Sequence, residues 1–267
     1  MPNTGSRAGD QVQLSLDDGV LRIEINRPDS LNAVTADVLE DMADAVEAAA
    51  TQDDVHVIVL SGAGRAFCSG ADIGGDGELS DKGGPAATLD GANRLVAAVR
   101  DVPLPVVSVV QGPCAGVGVS IALSADLVLA SSKAFFMLAF TKIGLMPDGG
   151  ATALVAASAG RAKAMRMALL AERLSAEEAE ALGLVSHVFD AESFEKDVDD
   201  VIAELRTGPM VGYARTKHAV NAATLASLDP AFALEREGQL DLLAAADFAE
   251  GVAAFNEKRP PKFSDTV

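Results

Sequence analysis

The sequence predicts an α/β fold, in which a core of alternating strands and helices is followed by a helical C-terminal region. Short apolar segments alternate with amphipathic segments up to about residue 131, and from Ala151 onward the pattern is helical. The chain has 267 residues, of which 49% are hydrophobic and 22% charged, so one globular unit with a small extension is expected. We divide it into a loose tail over 1–10, a core over 11–200 and a helical region over 201–267.

The first half of the chain begins with a predicted β-hairpin. Residues 11–16 and 20–26 alternate apolar and polar side chains around an Asp-Asp-Gly sequence, which is typical of tight hairpin turns. Five glycines and one proline within 74–90 predict a mobile loop. The remaining elements predicted here are strands over 56–61, 105–110 and 126–131, helices over 35–50 and 91–101, and a helix that follows the glycine-broken run 112–118 and ends near Ala125.

In the second half of the chain, capping signals predict where helices begin. Ser175 and Glu178 have the spacing of a capping box. Asp229 followed by Pro230 predicts an N-cap and a first-turn proline for a long final helix that reaches about Lys258. The pattern after residue 151 predicts helices alone.

Composition and charge argue against several classes of partner. The formal net charge is −18, so nucleic acid and anionic lipid are repelled and neither is an expected partner. The first residues carry no apolar segment of the signal-peptide type, and no apolar stretch reaches the length of a membrane span. Cys68 and Cys114 lack metal or redox spacing, and His56, His187 and His218 share no metal-ligand spacing. We therefore expect a cytoplasmic protein without a metal site.

Two glycine-bearing turns follow predicted strands. The first spans residues 61–73 and the second spans 111–120; each could present backbone N–H groups to an anion, the second at a helix N-terminus. Neither matches a P-loop or a dinucleotide-binding fingerprint, so spacing alone favours tight turns that pack strand against helix. Asp148 lies between a proline and two glycines, where an aspartate is commonly just a turn or N-cap residue.

Five segments together resemble signatures of the crotonase family, the enoyl-CoA hydratases and isomerases, in the family's order and spacing. They are NRPDSLNA at 26–33, GRAFCSGADI at 64–73, the stretch 111–126, GLMPDGG at 144–150 and EGVAAFNEKR at 250–259. The resemblance covers about residues 11–263. It implies a spiral of ββα units with a helical C-terminal region, an acyl-CoA thioester as substrate, and assembly as a homotrimer or a hexamer.

The resemblance also implies an oxyanion hole made by the backbone N–H groups of Ala71 and Val117. Proton removal next to a thioester carbonyl puts negative charge on its oxygen, and one such donor contributes about 3–4 kcal/mol in oxyanion holes. Substrate and CoA contacts are implied for Ala33, Phe67, Ser69, Gly70, Asp72 and Ile73 and, from a neighbouring subunit, for Phe255 and Lys258. Arg27 and Arg65 are further phosphate candidates, with solvated surface charge as an even alternative. No cofactor is implied, because CoA is part of the substrate.

The acid–base positions separate the reactions of this family. Its hydratases use two glutamates to activate water, and the matching positions here are Ser120 and Phe140, neither of which serves as a general base. Asp148 remains, where some isomerases of the family carry a single acid. A double-bond shift needs one base that takes a proton from C2 and returns it to C4. We therefore expect a 3-enoyl-CoA to 2-enoyl-CoA isomerase with Asp148 as its catalytic residue.

Other functions stay open at the level of sequence. The stretch 133–161 looks most like ring-1,2-epoxyphenylacetyl-CoA isomerases, and the fold also hosts divergent enoyl-CoA hydratases and dehalogenase-like or decarboxylase-like enzymes. A non-catalytic acyl-CoA-binding protein of the same fold is suggested by the replaced glutamates and opposed by Asp148 and both turns. The sequence does not indicate the length or aromaticity of the acyl group, because residues 74–90, which are expected to line its pocket, show no regular pattern.

Overall fold

Strands and helices alternate along the chain in a computed structural model that describes residues 7–73, 84 and 86–266. The strands are β1 (Val12–Asp17), β2 (Val20–Ile25), β3 (Val57–Gly62), β4 (Val106–Val110), β5 (Pro113–Ala115), β6 (Leu127–Ser131), β7 (Phe135–Met137), β8 (Arg173–Ser175) and β9 (His187–Phe189). The helices are α1 (Ala36–Ala49), α2 (Ala87–Asp101), α3 (Val117–Ser124), α4 (Ala151–Leu170), α5 (Ala176–Ala181), α6 (Phe194–Arg206), α7 (Met210–Thr224), α8 (Leu228–Leu243) and α9 (Ala246–Asn256). The predicted α/β class is confirmed.

The larger sheet has the strand order β1-β2-β3-β4-β6-β9. Its hairpin β1–β2 turns at Asp18 and Gly19, whose φ angles of 45° and 81° both lie in the left-handed region that such two-residue turns require. The other neighbours in this sheet pair in parallel. The carboxyl ends of β3 and β4 therefore meet at one edge, and the two glycine-bearing turns leave the sheet there.

Both faces of this sheet are covered by helices. Ile58 and Leu60 of β3 are buried in the same core cluster as residues of α1 and α2. Val57 and Val59, which alternate with them, are buried against α6. Because successive strand residues point to opposite faces, a strand covered on both sides reads as the continuous apolar run seen here.

A second, smaller sheet of order β5-β7-β8 contains strands that the sequence pattern did not predict. The prediction of helices alone after residue 151 was wrong, since β8 and β9 both lie there. Three residues are too few for a strand to display its alternation. The predicted capping box is present: Ser175 Oγ accepts from the N–H of Glu178 at 3.2 Å, and the Glu178 carboxylate accepts from the N–H of Ser175 at 2.8 Å.

Helix α2 begins earlier than predicted, at Ala87. The predicted loop over 74–90 therefore loses its last residues to this helix, and its residues 74–83 and 85 lie outside the described part of the chain. At the N-terminus, Asp41 of α1 accepts from the N–H groups of Arg7 and Ala8 at 3.0 and 2.8 Å. The predicted loose tail thus does not extend over these two residues; residues 1–6 are not among those described.

The predicted long final helix is two helices, so that prediction was wrong. Helix α8 begins one residue before Asp229, and Ser227 holds its N-cap position. Asp229 instead accepts from Arg100 Nη1 at 2.6 Å. Ala245 adopts extended angles (φ −81°, ψ 157°), which separates α8 from α9. Along the described ranges, none of the helices combines the length and the hydropathy needed to cross a membrane.

Helix α7 is held on the core by a lysine. Lys217 Nζ donates to the carbonyl oxygens of Val99 and Leu104 at 2.7 and 3.1 Å and pairs with the Asp126 carboxylate at 2.9 Å. Only 7% of the Lys217 side chain is exposed, and burial lowers the pKa of Lys217 and raises the pKa of Asp126. Because α7 has no fully buried residue, this polar contact is a main link between α7 and the core.

We expect the Lys217→Met substitution to lower the free energy of unfolding by about 3 kcal/mol, because it strands the Asp126 carboxylate in a largely buried place. The additional change Asp126→Asn removes that charge and should recover more than half of the loss. Urea unfolding of the two variants beside the wild type measures both effects. A loss below about 1 kcal/mol for Lys217→Met would show that the pair behaves as a surface ion pair.

Candidate active site

The first turn after β3 is fixed by two amide side chains. Asn32 is fully buried and donates through Nδ2 to the carbonyl oxygens of Ala63 and Ala66 at 2.9 and 2.7 Å. Gln111 donates through Nε2 to the carbonyl oxygens of Gly62 and Ala66 at 2.6 and 2.8 Å. These bonds satisfy carbonyl groups at the end of β3 and in the first turn. Because Gln111 begins the second turn, its bonds also join the first turn to the start of the second turn.

The two turns lie back to back. The N–H of Cys68 donates to Pro113 O at 3.2 Å, and the N–H of Ala115 donates to Cys68 O at 2.9 Å. Beyond these bonds, Gly70 and Gly116 touch: a Cβ atom at Gly116 would lie 3.3 Å from Gly70 Cα. Both glycines have left-handed φ angles, 113° and 55°, which other residues rarely adopt.

Ala71 and Val117, the predicted oxyanion donors, have open N–H groups at this junction. Val34 is bonded to the two neighbours of Ala71: its N–H donates to Gly70 O, and its carbonyl oxygen accepts from the N–H of Asp72, both at 2.9 Å. In such a parallel bridge, the N–H of Ala71 itself points away from Val34. Val117 is the first residue of α3, where an N–H has no partner within the helix. Among the described residues, neither N–H has an acceptor.

The loop that carries Asp148 packs on the same end of α3. Ser120 Oγ donates to the main-chain oxygen of Asp148 at 2.7 Å. A Cβ atom at Gly149, which has a φ of 64°, would lie 3.0 Å from Ser120 Cβ and 3.3 Å from Val117 Cγ2. The structure therefore brings the predicted acid next to the predicted oxyanion turn.

Helix α8 supplies two buried polar residues that the sequence analysis missed. Gln239 Nε2 donates to Asp148 Oδ2 at 2.7 Å. Glu235 accepts from the N–H of Gly150 at 2.7 Å, and from the N–H of Thr152 at 2.9 Å and its hydroxyl, at the start of α4. Both lie on one face of α8 with buried Leu228 and Ala231, at spacings of three or four residues. Two polar side chains within an apolar helical stripe were the available signal.

The Asp148 carboxyl group has an unusually high proton affinity. Its side chain is 8% exposed, and burial raises its pKa from 3.8 to about 7. The hydrogen bond from Gln239 acts in the opposite direction and the negative charge of Glu235 in the same direction. Burial also raises the pKa of Glu235 itself. An acid with a pKa near neutrality can both accept and return a proton.

The two positions at which the resemblance places hydratase glutamates carry no acid. Ser120 is fully buried, with its hydroxyl bonded to the Asp148 main chain. Phe140 begins a short 3-10 helix and is 8% exposed. In the described residues, Asp148 and Glu235 are the carboxyl groups at this end of α3 and α4, and Glu235 is already engaged by three donors.

The residues predicted to contact substrate or CoA differ in what they expose. Ser69 and Ile73 are partly exposed beside the first turn, whereas Ala33 and Gly70 are buried there. Phe67 is fully buried and its N–H bonds to Pro113 O at 3.1 Å, so it packs beneath the turn. Phe67, Ser69, Gly70 and Ile73 all belong to the first turn. The remaining predicted contacts, Asp72, Arg27, Arg65, Phe255 and Lys258, carry charge or lie at the C-terminus.

Charged and C-terminal candidates are more dispersed. Arg27 Nη2 pairs with Asp72 at 2.7 Å, so both are partly engaged within the chain. Arg65 is exposed in the first turn. Phe255, 63% exposed, and Lys258 lie at the end of α9 and are not buried by their own chain.

The cysteine side chains lie in the turns as structural groups: Cys68 Sγ accepts from the N–H of Gly70 at 3.4 Å. Cys68 and Cys114 are free and buried, and burial raises the pKa of Cys68 to about 12, which keeps it a thiol. His56 precedes β3, at the end of that strand opposite to the first turn, and its Nδ1 lies 3.2 Å from Arg206 O. His187 Nδ1 lies 2.9 Å from Glu180. The described residues contain no cluster of three or more His, Cys, Asp or Glu that could hold a metal ion.

One family model matches the chain, and the known proteins that are similar to it include the following three. The model, described as enoyl-CoA hydratase/isomerase, matches residues 15–266. A "Probable enoyl-CoA hydratase" of Rhodobacter capsulatus is 40% identical over 253 residues, 95% of this chain and 97% of the relative. The 1,2-epoxyphenylacetyl-CoA isomerase of Escherichia coli is 38% identical over 251 residues, 92% and 95%. A crystal structure of an enoyl-CoA hydratase from Mycobacterium avium subsp. paratuberculosis matches with a TM-score of 0.89 and 56% identity, covering 96% of this chain and 99% of that chain.

We expect Asp148→Asn to stabilise the protein increasingly as pH rises from about 4 to about 7. The folded wild type binds a proton that the unfolded chain has already lost in this window, so its stability falls as pH rises. Asparagine does not titrate. Above pH 7 the difference in free energy of unfolding should level off at about 2–4 kcal/mol. Thermal unfolding of both proteins across pH 4.5–8.5 tests this; a constant difference would mean that Asp148 is not the group with the raised pKa.

Proposed function

Because the chain belongs to the enoyl-CoA hydratase/isomerase family, we propose that it is an acyl-CoA double-bond isomerase that converts a 3-enoyl-CoA into a 2-enoyl-CoA. One observation carries this proposal. The buried carboxyl group of Asp148, with a pKa of about 7, lies beside a junction where two backbone N–H groups have no acceptor among the described residues. A base next to an oxyanion hole is the minimum that a double-bond shift requires.

In the proposed reaction, one proton moves and no other atom is gained or lost. Asp148 removes a proton from C2 of the 3-enoyl thioester, and the electron pair delocalises to the thioester oxygen. The N–H groups of Ala71 and Val117 donate to that oxygen while it is negatively charged. Asp148 then returns the proton to C4, which moves the double bond to C2–C3. The CoA group is part of the substrate and no further cofactor is needed.

The pKa of Asp148 suits both half-reactions. An ordinary aspartate would be a weak base at neutral pH, because a pKa near 4 gives little driving force for taking a carbon-bound proton. Burial raises the pKa of Asp148 to about 7, so the carboxylate is a stronger base and the acid still forms readily. Fixed backbone donors lower the energy of the enolate without needing protonation.

Hydration is disfavoured because it needs a water held and activated by acid–base groups. At the two hydratase positions, the Ser120 hydroxyl donates to a main-chain oxygen and Phe140 has no exchangeable proton. Each missing acid–base group typically lowers the rate about 10²–10⁴-fold. The related "Probable enoyl-CoA hydratase" of R. capsulatus keeps a divergent hydratase among the alternatives.

A second candidate is the isomerisation of a ring-1,2-epoxide of phenylacetyl-CoA. The relative named 1,2-epoxyphenylacetyl-CoA isomerase, at 38% identity over 92% of this chain, favours it. The same carboxyl group and oxyanion donors could act on an arylacetyl thioester. Assays with 3-enoyl-, 2-enoyl- and ring-epoxidised phenylacetyl-CoA separate these candidates. If CoA binds but no thioester is turned over, the non-catalytic acyl-CoA-binding alternative is favoured.

We expect Asp148→Asn to lower kcat of the isomerase reaction about 10²–10⁴-fold with KM much less affected, because asparagine cannot accept a proton while the CoA contacts remain. The matched variant Ser120→Ala loses only a hydrogen bond to the main chain and should lower kcat less than about tenfold. Steady-state kinetics with a 3-enoyl-CoA measure both.

Calorimetric titration with CoA is the control for these variants, since each should retain the affinity of the wild type. The proposed mechanism is wrong if Asp148→Asn keeps most of the wild-type rate while Ser120→Ala abolishes it. A hydroxyl or water relay would then have to carry the proton.

We further propose that the protein assembles as a trimer or a hexamer, with Phe255 and Lys258 of one subunit near the CoA site of the next. Exposed apolar side chains on α4 and α7 support this: Met165, Leu169, Leu170, Val211 and Val220. Light scattering should give three or six times the chain mass of 27.3 kDa. The double change Leu169→Glu and Leu170→Glu should produce smaller species with weaker CoA binding. A wild-type monomer at micromolar concentration would exclude the assembly.

A further inference from the structure

The side-chain amide of Gln239 has a fixed orientation. Its Oε1 accepts from the main-chain N–H of Met146 at 3.2 Å, a place that only an acceptor can fill. The Nε2 group must therefore face the other way, where it donates to Asp148 Oδ2 at 2.7 Å. The amide is 2% exposed, so water does not compete for either bond.

We propose that Gln239 is a positioning residue for Asp148 and that it makes Oδ1 the carboxyl oxygen that exchanges the proton with the substrate. This inference rests on the proposed function and deepens it. The amide nitrogen only donates, so Oδ2 stays an acceptor in both protonation states of Asp148. A proton taken from the substrate is then carried on Oδ1. One oxygen, in one place, both removes and returns the proton.

Burial has the largest effect on the pKa of Asp148, and two side chains of α8 act on it as well. When Glu235 on this helix is ionised, its negative charge opposes ionisation of Asp148, whereas the Gln239 amide favours it. On the α3 side, Ser120 contacts only the main-chain oxygen of Asp148. No cation among the described residues pairs with the Asp148 carboxylate. Gln239 and Glu235 therefore act on the same proton in opposite directions.

The test uses the full-length protein and two substitutions at Gln239. Gln239→Glu keeps an acceptor for Met146 but loses the donor to Asp148 and adds a carboxyl group. Gln239→Met keeps the size of the side chain and loses both bonds. The readout is the infrared carbonyl band of protonated Asp148, followed against pH and assigned by its loss when Asp148→Asn is added to each background. The matched control is Asn221→Asp on α7, which removes an amide donor to Arg100 O of α2, away from this site.

Both variants at Gln239 should shift the titration midpoint of Asp148 to higher pH, by at least about one unit for Gln239→Glu, because two neighbouring carboxyl groups resist losing the last proton. In Gln239→Met the carbonyl band should move to higher frequency, because Oδ2 loses its donor. The matching limb of the pH profile of kcat should move with the midpoint, and kcat at neutral pH should fall about 10- to 100-fold with KM nearly unchanged. Glu235→Gln should shift the midpoint to lower pH.

The proposal is overturned if the band of Asp148 keeps both its frequency and its midpoint in the two Gln239 variants, or if Asn221→Asp shifts them equally. Failure of the proposed function is recognised separately. If the wild type turns over no thioester, kcat cannot be measured, but the infrared titration still tests the role of Gln239. Should Gln239→Glu not fold, Gln239→Met supplies the frequency and the midpoint on its own.

Discussion

The site depends on how closely two main-chain turns approach each other at the ends of β3 and β4. A Cβ atom at Gly62 would lie 2.2 Å from Phe67 O, one at Gly112 would lie 2.0 Å from Arg65 O, and one at Gly118 would lie 2.7 Å from Cys68 O. Such contacts with backbone atoms cannot be relieved by moving a side chain. Only with glycine at these places can the turns lie in contact, with the N–H groups next to that contact directed outward instead of into the sheet.

The position of Asp148 follows from the same junction but is set by a different part of the chain. The turns that carry the proposed oxyanion donors belong to the α/β core, whereas the side chains that bond the Asp148 carboxyl group and the start of α4 come from α8, in the helical C-terminal region. Burial would leave a lone aspartate mostly protonated near neutral pH, and one amide donor offsets part of that effect. The proposed chemistry therefore requires α8 to pack on the Asp148 loop, so that the packing of the C-terminal helices affects the proton affinity of Asp148.

Two local signals in the sequence were confirmed, whereas the local capping signal at Asp229 was displaced by two residues, because Ser227 holds the N-cap position. The hairpin at Asp18 and Gly19 and the capping box at Ser175 depend on a few neighbouring residues, so their patterns sufficed. Strands β7, β8 and β9 have three residues each, too few to show alternation, and the break at Ala245 falls within an alanine-rich run with no glycine or proline to mark it. Asp148 itself was found only through the motif resemblance. Gln239 was missed because its partner lies 91 residues away, and no sequence period links a helix to a distant loop.

Ser120 lies where the resemblance places a hydratase glutamate, and it also packs against the loop that carries Asp148. Ser120 Oγ donates to the main-chain oxygen of Asp148, and Gly149 packs directly on the Ser120 side chain. A glutamate at this place would direct an acceptor at that oxygen and crowd the turn at Gly149, where a Cβ atom would already be 3.0 Å from Ser120 Cβ. It would also add a negative charge beside Asp148 and raise its pKa further. The small Ser120 side chain thus fits beneath the loop that carries Asp148, whereas a glutamate at this position would require that loop to move.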